Sequence, residues 1–151
     1  MVDVHSPAIR SKNMRAIGNK NTRPELIVRK LLHSHGFRYR LHVKDMPGKP
    51  DLVFPRFRAV IFVNGCFWHG HECYFFKMPV SRVEFWEKKI SDNIKRDHRN
   101  KILLSDSGWK VLVVWECAIK GKNKLSQAEL LNFISRWLFE TTPYDVELKH
   151  L

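Results

Sequence analysis

Hydrophobic positions along the chain follow two periods. From residue 22 to residue 36 the period is helical: Thr22 suits an N-cap, Pro24 the first turn and Glu25 the partner position of a capping box. Leu26, Ile27, Leu31 and Leu32 then form an apolar stripe that Gly36 ends. Phe37 to Val43 alternates apolar with polar side chains, the period of a half-buried strand, and the Met46–Pro50 stretch is a turn. Strands are expected at Asp51–Phe54 and Ala59–Val63, the second apolar throughout and therefore central in its sheet. A long helix is expected from Val83 to Leu104, closed by Ser107 and Gly108, and a valine-rich strand from Trp109 to Trp115. Ser126 caps a final amphipathic helix bearing Leu130, Phe133, Ile134 and Trp137, and the tail from Thr141 reads as polar and loosely held.

The predicted order is helix, three strands, helix, strand, helix, an α/β arrangement with the sheet covered by helices. At 151 residues and 44% hydrophobic content the chain is one domain with a real core. Residues 1–140 are read as that domain, with 1–21 a basic segment and 141–151 the tail. No apolar run of roughly eighteen residues occurs and the N-terminus lacks the apolar core of a secretory signal, so no membrane partner is expected and the cytoplasm is the expected compartment.

Charge narrows the partners. A net +12 attracts polyanions at long range. Basic residues gather at Arg10–Arg23 and Lys88–Lys101, and Asn13, Asn19 and Asn21 are interleaved in the first cluster, a mixture suited to phosphates and base edges.

Candidate chemistry concentrates in NGCFWHGHEC, residues 64 to 73. Cys66, His71 and Cys73 have the spacing of a loop wrapped around an ion, and Cys117 follows the later strand, so the four suit tetrahedral Zn²⁺. Three buried free cysteines beside a surface histidine is the alternative. His69 lies outside that ligand set. Asp51 opens one strand while its neighbour leads into Asn64 and His69, so a carboxylate and an imidazole can meet at adjacent strand ends. A hard oxygen ligand there suits Mg²⁺, and imidazole accepts a proton from water near neutral pH. Phe67, Trp68 and Trp86 either cap the open end of the sheet or serve as apolar wedges between base pairs.

Together these stretches resemble the very-short-patch-repair (Vsr) endonuclease family of the PD-(D/E)xK nuclease superfamily. The likeness runs from Asp3 to Phe139: SKNMRAI near the start, PG-P-D at Pro47–Asp51, VIF-x-x-GCFWH at Val60–His69, H-x-C at His71–Cys73, EFW at Glu84–Trp86 and VWECA at Val114–Ala118. The resemblance implies a restriction-endonuclease-like core, a central mixed sheet flanked by helices with a structural zinc site. It also implies a Mg²⁺-dependent hydrolase that nicks double-stranded DNA 5′ to the thymine of a T·G mismatch left by 5-methylcytosine deamination. By position, Asp51 and the carbonyl of Val63 would hold Mg²⁺, His69 would be the general base, and Glu25 would bind a metal-linked water. Cys66, His71, Cys73 and Cys117 would hold Zn²⁺. Phe67, Trp68 and Trp86 would enter beside the mismatch from one groove and Met14 from the other, while Lys89 and Asn93 would read neighbouring bases. A monomer working at the bacterial nucleoid with mismatch-repair proteins and a repair polymerase is the implied setting.

One departure stands out. Asn64 occupies the position where the family usually has histidine, and asparagine cannot transfer a proton at neutral pH. The alternatives are a nuclease acting on matched duplex and a zinc-stabilised DNA-binding protein without catalysis. Asp51 separates the last of these from the others, because a carboxylate near phosphate has no use to a pure binder unless a cation is present.

Overall fold

A computed structural model describes residues 21–140 and 145–150 of the chain. Met14, the SKNMRAI stretch and most of the first basic cluster lie outside the described residues. In chain order the elements are α1 (Arg23–Ser34), β1 (Arg40–Leu41), β2 (Leu52–Phe54), a 3-10 turn (Pro55–Phe57), β3 (Ala59–Asn64), α2 (Val83–Asp106), β4 (Lys110–Trp115), the short α3 (Glu116–Ile119), α4 (Gln127–Phe139) and β5 (Asp145–Leu148). The five strands form one mixed sheet in the order β1-β2-β3-β4-β5. The first three are antiparallel neighbours; β3–β4 and β4–β5 are parallel.

Strand periodicity distributes the core over two faces. Ala59 and Ile61 of β3, with Leu112 and Val114 of β4, point toward α1 and α4, where they meet Val28, Leu32, Ile134 and Trp137. Val60 and Val111 point the other way and pack with Leu104 of α2, Phe62 and Trp109. Val113, Trp115, Cys66 and Cys117 form a third cluster at the sheet's far end. Among the described residues no helix is long and apolar enough to cross a membrane.

Several expected details shift. Thr22 does cap α1, accepting from the Glu25 N–H at 3.4 Å, but the Glu25 carboxylate reaches the N–H of Asn21, not that of Thr22. The buried stripe of α1 is Val28, Leu31 and Leu32, together with Glu25 itself, and Leu26 is exposed. The strand expected over Phe37–Val43 shrinks to Arg40–Leu41, and His42, in a left-handed conformation (φ +47°), ends it. The tail read as loose contributes β5: Val146 and Leu148 join the core, while Glu147 faces Lys101 of α2 at 3.7 Å. Two acids in four residues hide this strand from a hydrophobicity reading, and only the open edge of β4 makes it one.

Lys110, at the start of β4, is buried, and its ammonium donates to the carbonyls of Trp137, Leu138 and Glu140 at 2.8 Å each. These carbonyls lie where helical partners run out, that of Trp137 keeping a long bond of 3.4 Å from the Glu140 N–H, and the cation also complements the negative end of the helix. Burial lowers the Lys110 pKa, and the charge of Glu140 opposes that shift. Lys110→Met should keep the bulk and strand these acceptors, lowering stability by on the order of 3 kcal/mol in urea unfolding. Unchanged stability would mean that water replaces the ammonium without loss.

Candidate active site and metal centre

The β2–β3 ladder ends at Leu52↔Ile61, so both chains run on past their last pair. Asp51 fills the gap, its Oδ2 accepting the Val63 N–H at 2.7 Å. N–H and C=O of one strand residue point to the same side, so the Val63 carbonyl also faces the Asp51 edge. Glu25 approaches from α1. Its Oε1 accepts from the Asn21 N–H at 3.1 Å and its Oε2 from Arg29 at 3.2 Å and from His42 Nε2 at 2.8 Å. His42 Nε2 is also 3.9 Å from Asp51 Oδ1. Burial pushes the Asp51 carboxyl up to about 7; the Val63 N–H lowers it and the charge of Glu25 raises it further. Two neighbouring carboxylates in a desolvated corner are held apart in protonation unless a cation joins them, so hard oxygen donors and electrostatics both fit a divalent ion here.

Asp51 and His69 line the same cleft, about 720 Å³ in volume, with Lys44, Lys49, Arg96 and Arg99 on its walls. His69 Nδ1 lies 2.5 Å from Asp97 Oδ2 of α2. That contact sets the ring as an Nδ1–H donor and leaves the Nε2 lone pair free. Asn64 is buried at the end of β3, opposite Trp115, and lines both this cleft and a smaller cavity of about 160 Å³ beside His69 and Asp97.

The loop carrying His69 is braced against α2. Asn93, buried, donates its amide to the Trp68 carbonyl at 2.8 Å and accepts from Arg96 at 2.6 Å. Gly70, at φ +63°, passes so close to the helix that a Cβ would meet Ile94 at 2.6 Å. The sequence reading assigns Asn93 to bases; in the fold its amide is occupied by protein, whereas Lys89 is exposed on α2. Phe67, Trp68 and Trp86 contact one another edge to face, with centroids 5.3 to 5.8 Å apart, and all three are half-buried.

Behind the loop, one ligand atom each from Cys66, His71, Cys73 and Cys117 lies within 4.8 Å of the others. His71 Nδ1 and Cys117 Sγ are 3.7 Å apart, close to the roughly 3.6 Å between tetrahedral ligands at about 2.0–2.3 Å from zinc. The His71 ring is stacked on Trp115 at 4.1 Å, and the backbone N–H of His150 donates to Cys117 Sγ at 3.4 Å. Burial pushes the Cys66 and Cys117 thiols up, which leaves them neutral until a metal offsets that cost. The donor chemistry fits zinc, and α3, unforeseen in the sequence, turns Cys117 toward the loop.

His42 and Asp97 are the site residues that sequence reasoning missed. Asp97 is a lone acid between Arg96 and His98 on a basic helix, and His42 stands one position beyond the last paired residue of β1. Neither spacing points to a site until the hairpin and the helix are docked.

Asp51, beside the buried Glu25, and His69, held by Asp97, open on one basic-walled cleft, a combination suited to phosphodiester hydrolysis. A family model described as DNA mismatch endonuclease Vsr matches residues 2–75. The DNA mismatch endonuclease Vsr of Escherichia coli (strain K12) is 46% identical over 138 residues, covering 91% of this chain and 88% of its own. The Type II nicking enzyme V.XorIIP of Xanthomonas oryzae pv. oryzae is 49% identical over 134 residues, covering 89% and 98%. V.NmeAIP of Neisseria meningitidis serogroup A, also a Type II nicking enzyme, is 44% identical over 136 residues, covering 90% and 96%. The chain belongs to the Vsr DNA mismatch endonuclease family and is a DNA endonuclease.

The Asp51 environment has a consequence for stability. Its folded pKa, about 7, exceeds the ordinary 3.8, so the folded state holds the proton more tightly and gains stability that is full below 3.8 and lost as pH rises through about 7. Without added Mg²⁺, Asp51→Asn should flatten that pH dependence. At about pH 8 it should raise the melting temperature by about 2–4 °C for each kcal/mol recovered. Identical melting profiles for the two proteins would contradict the burial argument.

Proposed function

We propose that this endonuclease is Mg²⁺-dependent and nicks duplex DNA 5′ to the thymine of a T·G mismatch. The observation that carries the reading is the opening of Asp51 and His69 on one cleft walled by Lys44, Lys49, Arg96 and Arg99, which suits a phosphodiester backbone. Asp51 and the Val63 carbonyl would hold Mg²⁺, which when bound neutralises the scissile phosphate. Glu25 orients a water beside them. His69 takes a proton from the attacking water at Nε2, and Asp97 stabilises the imidazolium that results. Attack opposite the 3′ oxygen leaves a 3′-hydroxyl and a 5′-phosphate. Asn64 hydrogen-bonds water or phosphate but moves no proton.

Mismatch selection is assigned to Phe67, Trp68 and Trp86, whose rings unstack the weakened step, with Met14 entering from the opposite groove. Lys89 is assigned to base contact and Asn93 chiefly to holding the loop, in keeping with its bond to the Trp68 carbonyl. The structural zinc in Cys66, His71, Cys73 and Cys117 would stiffen the segment that carries both the rings and His69. The DNA mismatch endonuclease named in Escherichia coli supports mismatch recognition here.

Asp51→Asn should abolish nicking of a T·G duplex while mismatch binding stays within about tenfold, or about 1.4 kcal/mol. His69→Ala should cost about a hundredfold or more in single-turnover rate, and Asn64→His should raise that rate by about tenfold if a missing imidazole limits it. Wild-type nicking by the Asp51 or His69 variant would sink the mechanism, and equal cutting of the matched duplex would sink the mismatch reading.

For the zinc corner, elemental analysis should find about one zinc per chain. Cys73→Ser and Cys117→Ser should lower zinc content, melting temperature and nicking together, since metal affinity is also folding free energy. A fully active zinc-free protein would return the cysteines to ordinary packing.

A further inference from the structure

His42 is unexplained by the hydrolysis described so far. It adopts a left-handed backbone conformation, φ +47°, that residues other than glycine rarely take, and in doing so it terminates β1. Its N–H still bonds the Asp51 carbonyl at 3.1 Å, so the kink re-aims the side chain without detaching the chain from β2. What the turn achieves is specific: the imidazole is carried between the two carboxylates, 2.8 Å from Glu25 Oε2 and 3.9 Å from Asp51 Oδ1. One donor atom from each of Glu25, His42 and Asp51 lies within 4.8 Å of the others. Backbone strain at such a position is retained where the side chain it aims has a task.

We propose that His42 is a direct protein ligand of the catalytic divalent ion, through Nε2, so that with Asp51 it makes a mixed nitrogen–oxygen site, beside which Glu25 keeps its metal-linked water. This rests on the reading of Asp51 as the metal carboxylate. Two ligands of an octahedral cation with bonds of about 2.1 Å stand between about 3.0 Å apart, when neighbouring, and about 4.2 Å, when opposite, and the 3.9 Å from His42 Nε2 to Asp51 Oδ1 falls in that range. Coordination needs the neutral ring with its proton on Nδ1. The hydrogen that Nε2 donates to Glu25 must leave that nitrogen before it can bind a cation. Glu25 then loses one hydrogen bond, keeps those from Arg29 and the Asn21 N–H, and turns the freed oxygen to the metal-linked water. An imidazole among the ligands moves preference from Mg²⁺ toward Mn²⁺ and Co²⁺, which bind nitrogen more readily.

The experiment uses the full chain as purified, with Mn²⁺ alone as the probe. Electron spin-echo modulation reads directly bound imidazole nitrogen, and calorimetry reads affinity. Wild type should give nitrogen modulation that His42→Asn abolishes and His69→Ala leaves in place. Asparagine is the chosen replacement because it tolerates the left-handed backbone, yet it is too short to reach the ion. Mn²⁺ affinity should fall by at least about tenfold in that variant, the lower end of what losing even a supporting partner costs a metal site. The wild-type preference for Mn²⁺ over Mg²⁺ should narrow. A melting temperature within the wild-type range verifies that His42→Asn is folded; should it unfold, His42→Gln, which offers oxygen in place of nitrogen, should bind Mn²⁺ without nitrogen modulation. If wild-type Mn²⁺ binding depends on Asp51 but shows no nitrogen, His42 merely holds Glu25 and the proposal is wrong while the metal assignment of Asp51 survives. If Mn²⁺ binds Asp51→Asn as well as wild type, the metal assignment itself falls and takes this proposal with it.

Discussion

Six residues of parallel pairing between β3 and β4 govern where everything else goes. The register sets Asn64 beside Trp115, so the chain segments leaving the two strands emerge side by side. One segment carries Cys66, His69, His71 and Cys73; the other carries Cys117 within two residues. A shift of one residue would turn every side chain of β3 to the opposite face and take Ala59 and Ile61 out of the α1–α4 core. The apolar character of both faces of β3 and β4 therefore specifies the core and, through it, the juxtaposition of the strand ends.

On that frame the site is assembled from parts that oppose one another electrostatically. Asp51 and Glu25 are driven together in a corner that burial makes unfavourable for charge, while Lys44, Lys49, Arg96 and Arg99 line the cleft in front of Asp51. The basic side chains on the same cleft offset the negative charge of the carboxylates. Asp97 plays a separate part on α2, where it accepts from Nδ1 and fixes the His69 ring.

The loop between β3 and α2 is long and rich in aromatic residues, and it is held at several points. Asn93 bonds the Trp68 carbonyl, Gly70 allows close approach to Ile90 and Ile94, and the Cys/His corner draws its base toward α3. Half-buried rings on such a segment are ordered before any partner arrives, which would lower the entropic cost of the wedge role proposed for them. The strand β5 contributes from a distance: it sends Glu147 toward Lys101 and the His150 N–H toward Cys117.

Much of this was legible in the chain itself. Capping residues such as Thr22 and Ser126, and the apolar runs at Ala59–Val63 and Trp109–Trp115, report local structure because caps and periodicity are decided within a few residues. Cys66, His71 and Cys73 fall in one short stretch of sequence, so their spacing alone points to a metal, and Asp51 and His69 sit in stretches dense enough to mark the family. Tertiary structure alone decided the remainder. His42 meets Glu25 only after the first hairpin folds against α1, and Asp97 meets His69 only after α2 lies across the loop. Asp145–Leu148 is a strand because β4 offers an unpaired edge, and Lys110 is tolerable inside because the end of α4 offers carbonyls. In each case the deciding partner lies far along the chain, where no local period or spacing can reach it.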